Sequence, residues 1–169
     1  GLERPQHHLA GVNVPLHASE HSYILTEPFD GVTPNLPVFR HYDACAYYKE
    51  DAGNMMLGAF EPEAKPWGMD GIPEDVCSDQ LPDDFDHFEP ILEKALYRMP
   101  ALESAGIQTF FCGPESFTPD NRYYLGEAPG LEGLFVAAGL NSIGIQSAGG
   151  IGLALAEWMR DGHPTMDLG

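Results

Sequence analysis

Basic residues are scarce in this chain: 8 lysines and arginines stand against 26 acids, a net charge of −18 over 169 residues. That balance argues against binding to nucleic-acid phosphates and against docking on anionic membranes. The acidic surface solvates the protein and also fits a salt-adapted source. Cysteine is equally thin: Cys45, Cys77 and Cys112 are scattered, odd in number and free of C-x-x-C spacing. Neither a disulfide framework nor a zinc site is indicated, and a reducing compartment is expected. No apolar run approaches the roughly 20 residues that a membrane-spanning helix needs, and no signal-peptide pattern opens the chain, so neither insertion nor secretion is expected. A G-x-G-x-x-G fingerprint between a strand and a helix is absent as well. Its nearest match, Gly150-Ile-Gly152-Leu-Ala-Leu155, lacks the third glycine and falls inside a helical pattern. G-x-S-x-G is missing too, and Ser142 has no evident histidine partner, so a serine nucleophile is not supported.

What remains is a chain of one ordinary domain's length, 43% hydrophobic, with enough apolar surface for a core. Leu16 to Glu27 reads as a strand, because Ser22, Ile24 and Thr26 alternate with His21, Tyr23 and Leu25 in a β-rich composition. Two more strands, Ala44 to Glu50 and Met55 to Glu61, flank the hairpin composition Asp51-Ala-Gly-Asn54, and Cys45, Tyr47 and Lys49 share a face of the first. Pro62 to Pro82, with four prolines and little periodicity, reads as an irregular loop. A helix begins near Pro82-Asp-Asp84 and carries Phe85, Phe88, Leu92, Ala95, Leu96 and Met99 at helical spacing until Pro100 stops it. A short strand at Gln108 to Cys112 precedes a loop from Gly113 to Arg122. Leu134 to Ala138 is a strand that runs into Gly139-Leu-Asn-Ser-Ile-Gly144 and then a helix ending near Asp161, with Gly162 as its cap. The order predicts an α+β fold: a mixed, mainly antiparallel sheet with a helix packed on it, then a strand-turn-helix belonging to another sheet.

Three constellations have chemical content. The glycine turn into the last helix aims backbone N–H groups and a positive helix end at one point, which suits an anionic or electron-rich ligand. The same glycines, with Ala148, Gly149, Gly152 and Ala156, equally suit close helix packing. His21 and Tyr47 can share one sheet face, where an imidazole and a phenol adjust the protonation of an amine or carboxyl group; a half-buried face with satisfied polar tips is the plainer account. Asp83, Asp84, Asp86, His87 and Glu89 gather acids at a helix start, where the positive end accounts for them without a metal.

Several segments, in order, resemble one family: Leu9-Ala-Gly-Val-Asn-Val-Pro-Leu-His-Ala-Ser-Glu-His-Ser-Tyr23, Phe60-Glu-Pro-Glu-Ala-Lys-Pro-Trp67, Asp86-His-Phe-Glu-Pro90, Gly113-Pro-Glu-Ser-Phe-Thr-Pro-Asp120 and the turn Gly139 to Gly144. They are similar to the dimethylglycine and sarcosine dehydrogenases, FAD-dependent amine oxidoreductases of the D-amino-acid oxidase type. In that family the FAD-binding domain is split in sequence. The resemblance therefore implies linker or appended residues at 1–11, a substrate domain at 12–112 and the C-terminal segment of the FAD-binding domain at 113–169, with the dinucleotide-binding half of the same protein as a required partner.

The resemblance places FAD, once that half is present, against Gly139, Asn141, Ser142, Ile143, Gly144 and Ile145, and puts His21 and Tyr47 on the substrate side as catalytic residues. The implied substrate is a small N-methyl amino acid, oxidised at its methyl C–H to an iminium, with no metal, nucleic acid or membrane involved. Arg40, Lys49, Lys65 and Arg122 are the plausible cations for a substrate carboxylate. Exposed apolar surface where the other half packs also admits a homo-oligomer. A bacterial cytoplasm or a mitochondrial matrix is the expected location. The pyruvate dehydrogenase phosphatase regulatory subunit resembles the same family, so a non-catalytic regulator is the alternative, and a stand-alone binding module is a third reading.

Overall fold

A computed structural model describes residues 11–73, 76 and 80–168. The chain divides into two compact units, one comprising Glu20–Trp67 and Asp75–Pro114, the other Gly1–Ser19, Gly68–Glu74 and Glu115–Gly169.

The first unit is built on a five-stranded sheet of order β2-β3-β4-β1-β5, from β1 (His17–Thr26), β2 (Phe39–His41), β3 (Ala46–Asp51), β4 (Asn54–Ala59) and β5 (Ile107–Phe117). The β1/β4, β2/β3 and β3/β4 pairings are antiparallel. The hairpin between β3 and β4 closes through Ala52 (φ 53°) and Gly53 (φ 92°), two left-handed residues in succession, as a tight antiparallel turn needs. The Glu50 carboxylate steadies it by accepting the Gly53 N–H at 2.8 Å.

Alternation decides what each strand buries. Ser22, Ile24 and Thr26 of β1, Tyr48 of β3, Leu57 of β4 and Phe110 and Cys112 of β5 are buried. The strand residues Ile24, Tyr48, Leu57, Phe110 and Cys112 form one cluster with Phe88, Ile91 and Ala95 of α1 (Phe85–Arg98). Each of the larger side chains contributes roughly 1.5–3 kcal/mol by leaving water. Helix α1 starts where its acids predict: the Asp84 side chain accepts the His87 N–H at 3.1 Å and caps the helix. Pro90 lies inside α1, on its exposed side, where the missing N–H leaves the Asp86 carbonyl without its helical partner. A 3-10 turn at Pro100–Ser104 follows, which the sequence reading does not anticipate. Strand β5 runs past Cys112 through Gly113 and Pro114 instead of breaking there. It is an edge strand, with a neighbour on one side only, and edges are where a sheet tolerates proline.

The second unit holds a hairpin of β6 (Tyr124–Glu127) and β7 (Phe135–Ala138) and the helix α2 (Gly144–Asp161). Strand β6 and the three-residue β2 are also absent from the sequence reading; three or four residues carry too little periodicity to announce a strand. The Trp158 ring of α2 lies directly on Gly126, where an added Cβ would stand 2.7 Å from the indole, and it meets the Phe135 ring edge-on at 6.2 Å. Helix α2 ends on Gly162 at φ 81°, whose N–H returns to the Trp158 carbonyl at 2.9 Å. Of its residues only Ala154 is fully buried, while Ile145 (99%), Leu153 (55%) and Met159 (58%) are exposed. Gly149, Gly150 and Gly152 have no described atom within 4 Å of a would-be Cβ, so the small-residue face of α2 is open among the described residues.

Gly126 sits at φ 134°, a conformation nearly reserved for glycine, and beneath an indole. Gly126→Ala is expected to cost about 2 kcal/mol from backbone strain and the displaced indole together. A drop in the chemical denaturation midpoint, with quenching or a shift of Trp158 fluorescence, checks it.

Candidate active site

In the first unit, α1 seals one face of the sheet and the residues of the other alternate toward it. Register places Arg40 opposite Tyr47, Tyr47 opposite Gly58 and Gly58 opposite Tyr23, so these four form one row across four strands. The row is shaped by the residue without a side chain. A Cβ at Gly58 would fall 1.9 Å from the Tyr47 ring, so only glycine lets that ring lie across β4. Tyr23 continues the aromatic floor by stacking on Phe111 at 4.8 Å.

Phe60, just beyond β4, joins the row to His21. Its ring centroid lies 5.4 Å from that of His21 and 5.5 Å from that of Tyr47. The imidazole and the phenol expected on the substrate side thus both pack on one phenyl ring. His21 is further fixed by Glu61, whose Oε2 lies 3.3 Å from His21 Nδ1, with the two side chains only 13% and 5% exposed. The other oxygen, Oε1, accepts the Ser22 backbone N–H at 3.2 Å. One carboxylate therefore holds both the ring and the strand that carries it.

Burial pushes the Glu61 carboxyl upward, but the hydrogen bond from His21, the backbone N–H groups of Glu61 and Ser22, and the charge of His21 outweigh it and leave the group below its ordinary value. Glu61 is accordingly a carboxylate throughout the neutral range. The ring nitrogen turned to that carboxylate is Nδ1 of His21. Sequence reasoning did not single out Glu61 or Phe60, although both stand in the Phe60-Glu-Pro-Glu segment; their distance from His21 in sequence hides the contact.

The acid cluster at the start of α1 has structural work. Asp84 caps the helix and pairs with Lys65 Nζ at 2.9 Å, and Lys65 also reaches Glu20 at 3.2 Å. The hydrogen bonds from Lys65 and from the His87 N–H hold the Asp84 carboxyl below its ordinary value.

In the second unit, the turn after β7 is wound tightly: Gly139 (φ 68°), Asn141 (φ 48°) and Ser142 (φ 68°) are all left-handed. A Cβ on Gly139 would meet Thr118 Cγ2 at 2.3 Å and Leu16 Cδ2 at 2.9 Å. The Asn141 amide holds the turn to Thr118, its Oδ1 accepting the Thr118 N–H at 2.9 Å and its Nδ2 donating to Thr118 Oγ1 at 3.1 Å. Ser142 Oγ donates to the Glu115 carboxylate. Both side chains are thereby engaged within the unit, which leaves backbone groups as what the turn can offer a ligand. Helix α2 begins at Gly144 after Ile143, with no side-chain cap and no acid in its first turn. The first turn of a helix lacks internal acceptors for its N–H groups, so Gly144, Ile145 and Gln146 present donors at a positive helix end. These features fit an electron-rich or anionic ring edge such as a flavin's. Pyrophosphate contacts of the fingerprint type have no counterpart in the sequence.

Residues 3–158 match the family described as DAO, FAD dependent oxidoreductase. The chain belongs to that family. It is 46% identical over 158 residues to a 4-methylaminobutanoate oxidase (formaldehyde-forming) of Paenarthrobacter nicotinovorans, covering 94% of this chain and 19% of the relative. It is 43% identical to the mitochondrial pyruvate dehydrogenase phosphatase regulatory subunit of Mus musculus, covering 93% and 18%. To the mitochondrial sarcosine dehydrogenase of the same species it is 39% identical, covering 95% and 17%. The chain spans about a fifth of the length of these curated relatives. Its fold is that of the L-proline dehydrogenase from P. horikoshii, with a TM-score of 0.74 at 20% identity over 93% of this chain and 39% of the other.

Because Glu61 is held below its ordinary value in the folded protein, the stabilisation it brings is fully present above the unfolded carboxylate pKa and lost as pH falls through the folded value. In the whole protein, the melting temperature of wild type should exceed that of Glu61→Gln by a constant margin above about pH 5, and the margin should shrink in more acidic buffer. Thermal melts across pH test the sign directly.

Proposed function

We propose that this chain carries the substrate face, and one wall of the flavin site, of an FAD-dependent oxidoreductase acting on the N-methyl C–H of a small secondary or tertiary amino acid. The observation that carries the reading is the arrangement around Phe60: a carboxylate-clamped imidazole and a phenol, His21 and Tyr47, on the open face of a sheet whose other face is sealed. Relatives named for 4-methylaminobutanoate and sarcosine, at 46% and 39% identity, support the substrate class.

Oxidation of an amine at its methyl carbon requires the neutral amine, because the nitrogen lone pair becomes the second bond of the iminium as the C–H bond breaks. His21, through Nε2, takes the ammonium proton, and Glu61 stabilises the charge that the ring then bears. Tyr47, laid flat over Gly58, positions the amine. When bound, FAD supplies the two-electron acceptor for the hydride equivalent leaving the methyl group. Gly139, Asn141, Ser142, Ile143, Gly144 and Ile145 would hold it through backbone groups of the turn and the α2 N-terminus. The break between the two units at Pro114 and Glu115 supports a boundary near 112–113 between a substrate domain at 12–112 and an FAD-binding segment at 113–169, while residues up to Ser19 and Gly68–Glu74 group with the latter. The open apolar face of α2 supports packing against the dinucleotide-binding half of the whole protein. No helix among the described residues is long and apolar enough to cross a membrane, and the proposed location is a mitochondrial matrix or a bacterial cytoplasm.

Anaerobic stopped-flow mixing of the whole, FAD-loaded protein with sarcosine, dimethylglycine and 4-methylaminobutanoate tests the reading. At least one should bleach the flavin, and His21→Asn should slow bleaching by about 10²- to 10⁴-fold, the usual worth of a positioned acid-base group. Tyr47→Phe should weaken binding more than it slows reduction. Flavin retained without bleaching by any of the three would transfer the assignment to the regulatory reading, and an unchanged rate in His21→Asn would remove His21 from the mechanism.

A further inference from the structure

The turn before α2 holds two consecutive non-glycine residues in the left-handed region, Asn141 at φ 48° and Ser142 at φ 68°. Asparagine visits that region comparatively easily, whereas a serine there is held by its surroundings. What holds it is Glu115, near the end of β5, whose carboxylate accepts the Ser142 Oγ–H.

The same contact carries charge. Helix α2 runs 18 residues from Gly144 with no side-chain cap and no acid in its first turn, so its own first turn does nothing to balance the positive end. Other carboxylates of this unit answer different demands: Asp120 accepts the Arg122 N–H, Glu127 the Gly133 N–H, Glu157 the N–H and hydroxyl of Thr165, and Asp161 pairs with Arg160. Glu115 alone among these is bonded to the turn that leads into the helix start, at a residue two before Gly144. A hydride equivalent brings two electrons and one proton to FAD, so the site gains one negative charge while the iminium keeps the positive one. A positive helix end favours that added charge, and a carboxylate beside the same end opposes it.

We propose that Glu115 is a positioning residue of the flavin wall that also sets the flavin reduction potential. Through Ser142 it keeps the turn wound, and its charge holds the potential below the value that the uncompensated helix end would give. The assignment rests on the reading of this turn as part of an FAD site. A neutral amide in place of the carboxylate separates the two roles, because it still accepts the serine hydroxyl and no longer carries the charge.

Reductive titration of the whole, FAD-loaded protein against a reference dye provides the test. Glu115→Gln should retain its FAD and favour the reduced form about tenfold more than wild type at the same dye potential, an upward shift of about 30 mV for a two-electron couple. Glu115→Ala, which loses the acceptor as well, should show that shift together with weaker retention of FAD on dialysis. Glu157→Gln removes an equal charge toward the other end of α2, about 20 Å from Gly144 by the rise of a helix, and should leave the potential at the wild-type value. An unchanged potential in Glu115→Gln, or an equal shift in Glu157→Gln, overturns the proposal. So does a whole protein that binds no FAD, which takes the flavin reading with it. Where Glu115→Gln lacks the shift and sarcosine still bleaches the flavin, the role of Glu115 falls and the oxidative reading stands. Where the shift is present and no amine bleaches the flavin, the role of Glu115 stands and the oxidative reading falls.

Discussion

Helix α1 covers one face of a five-stranded sheet, and the character of the other face follows from that asymmetry. Phe88, Ile91 and Ala95 pack with Ile24, Tyr48, Leu57 and Phe110, which fixes which alternate residues of each strand are core. A slip of one residue in any strand would exchange the two sets, so burial of the first set holds the second in place. His21, Tyr23, Arg40, Tyr47 and Gly58 belong to that second set. Their chemistry is available because the core demands were met by their neighbours in sequence.

Within the open face, position comes from shape as much as from polar contacts. Gly58 creates the room in which the Tyr47 ring lies down, Phe60 gathers His21, Tyr47 and Arg40 around one ring, and Glu61 ties the imidazole to the backbone of its own strand. A histidine that faces a buried carboxylate has one nitrogen committed and its ring plane set. The turn at Gly139 to Gly144 uses another device: side chains bind inward to Thr118 and Glu115, and the first-turn N–H groups of α2 have no side-chain cap.

Much of the fold was legible in the sequence, because it rests on local signals. Alternation in β1, the Ala-Gly turn of the β3/β4 hairpin, the capping aspartate of α1 and the glycine that ends α2 each have a physical cause within a few residues. Where the reading failed, the cause was non-local. Strand β6 is four residues long and exists because β7 pairs with it, β5 continues through Pro114 because it lies at an edge, and the 3-10 turn after α1 has no periodicity of its own.

The sequence by itself determined the α+β class, the sharing of one face by His21 and Tyr23, and the position of the glycine turn before α2, since period, turn chemistry and capping act over short distances. Family membership was legible too, through segments kept in order. Only the tertiary structure decided that Glu61 holds His21, that Gly58 lies under Tyr47, and that Arg40, of the four plausible cations, is stacked on Phe60 without a carboxylate partner among the described residues. Those facts depend on strand register and on side chains far apart in the chain. They appear only when burial of the opposite face has chosen one pairing.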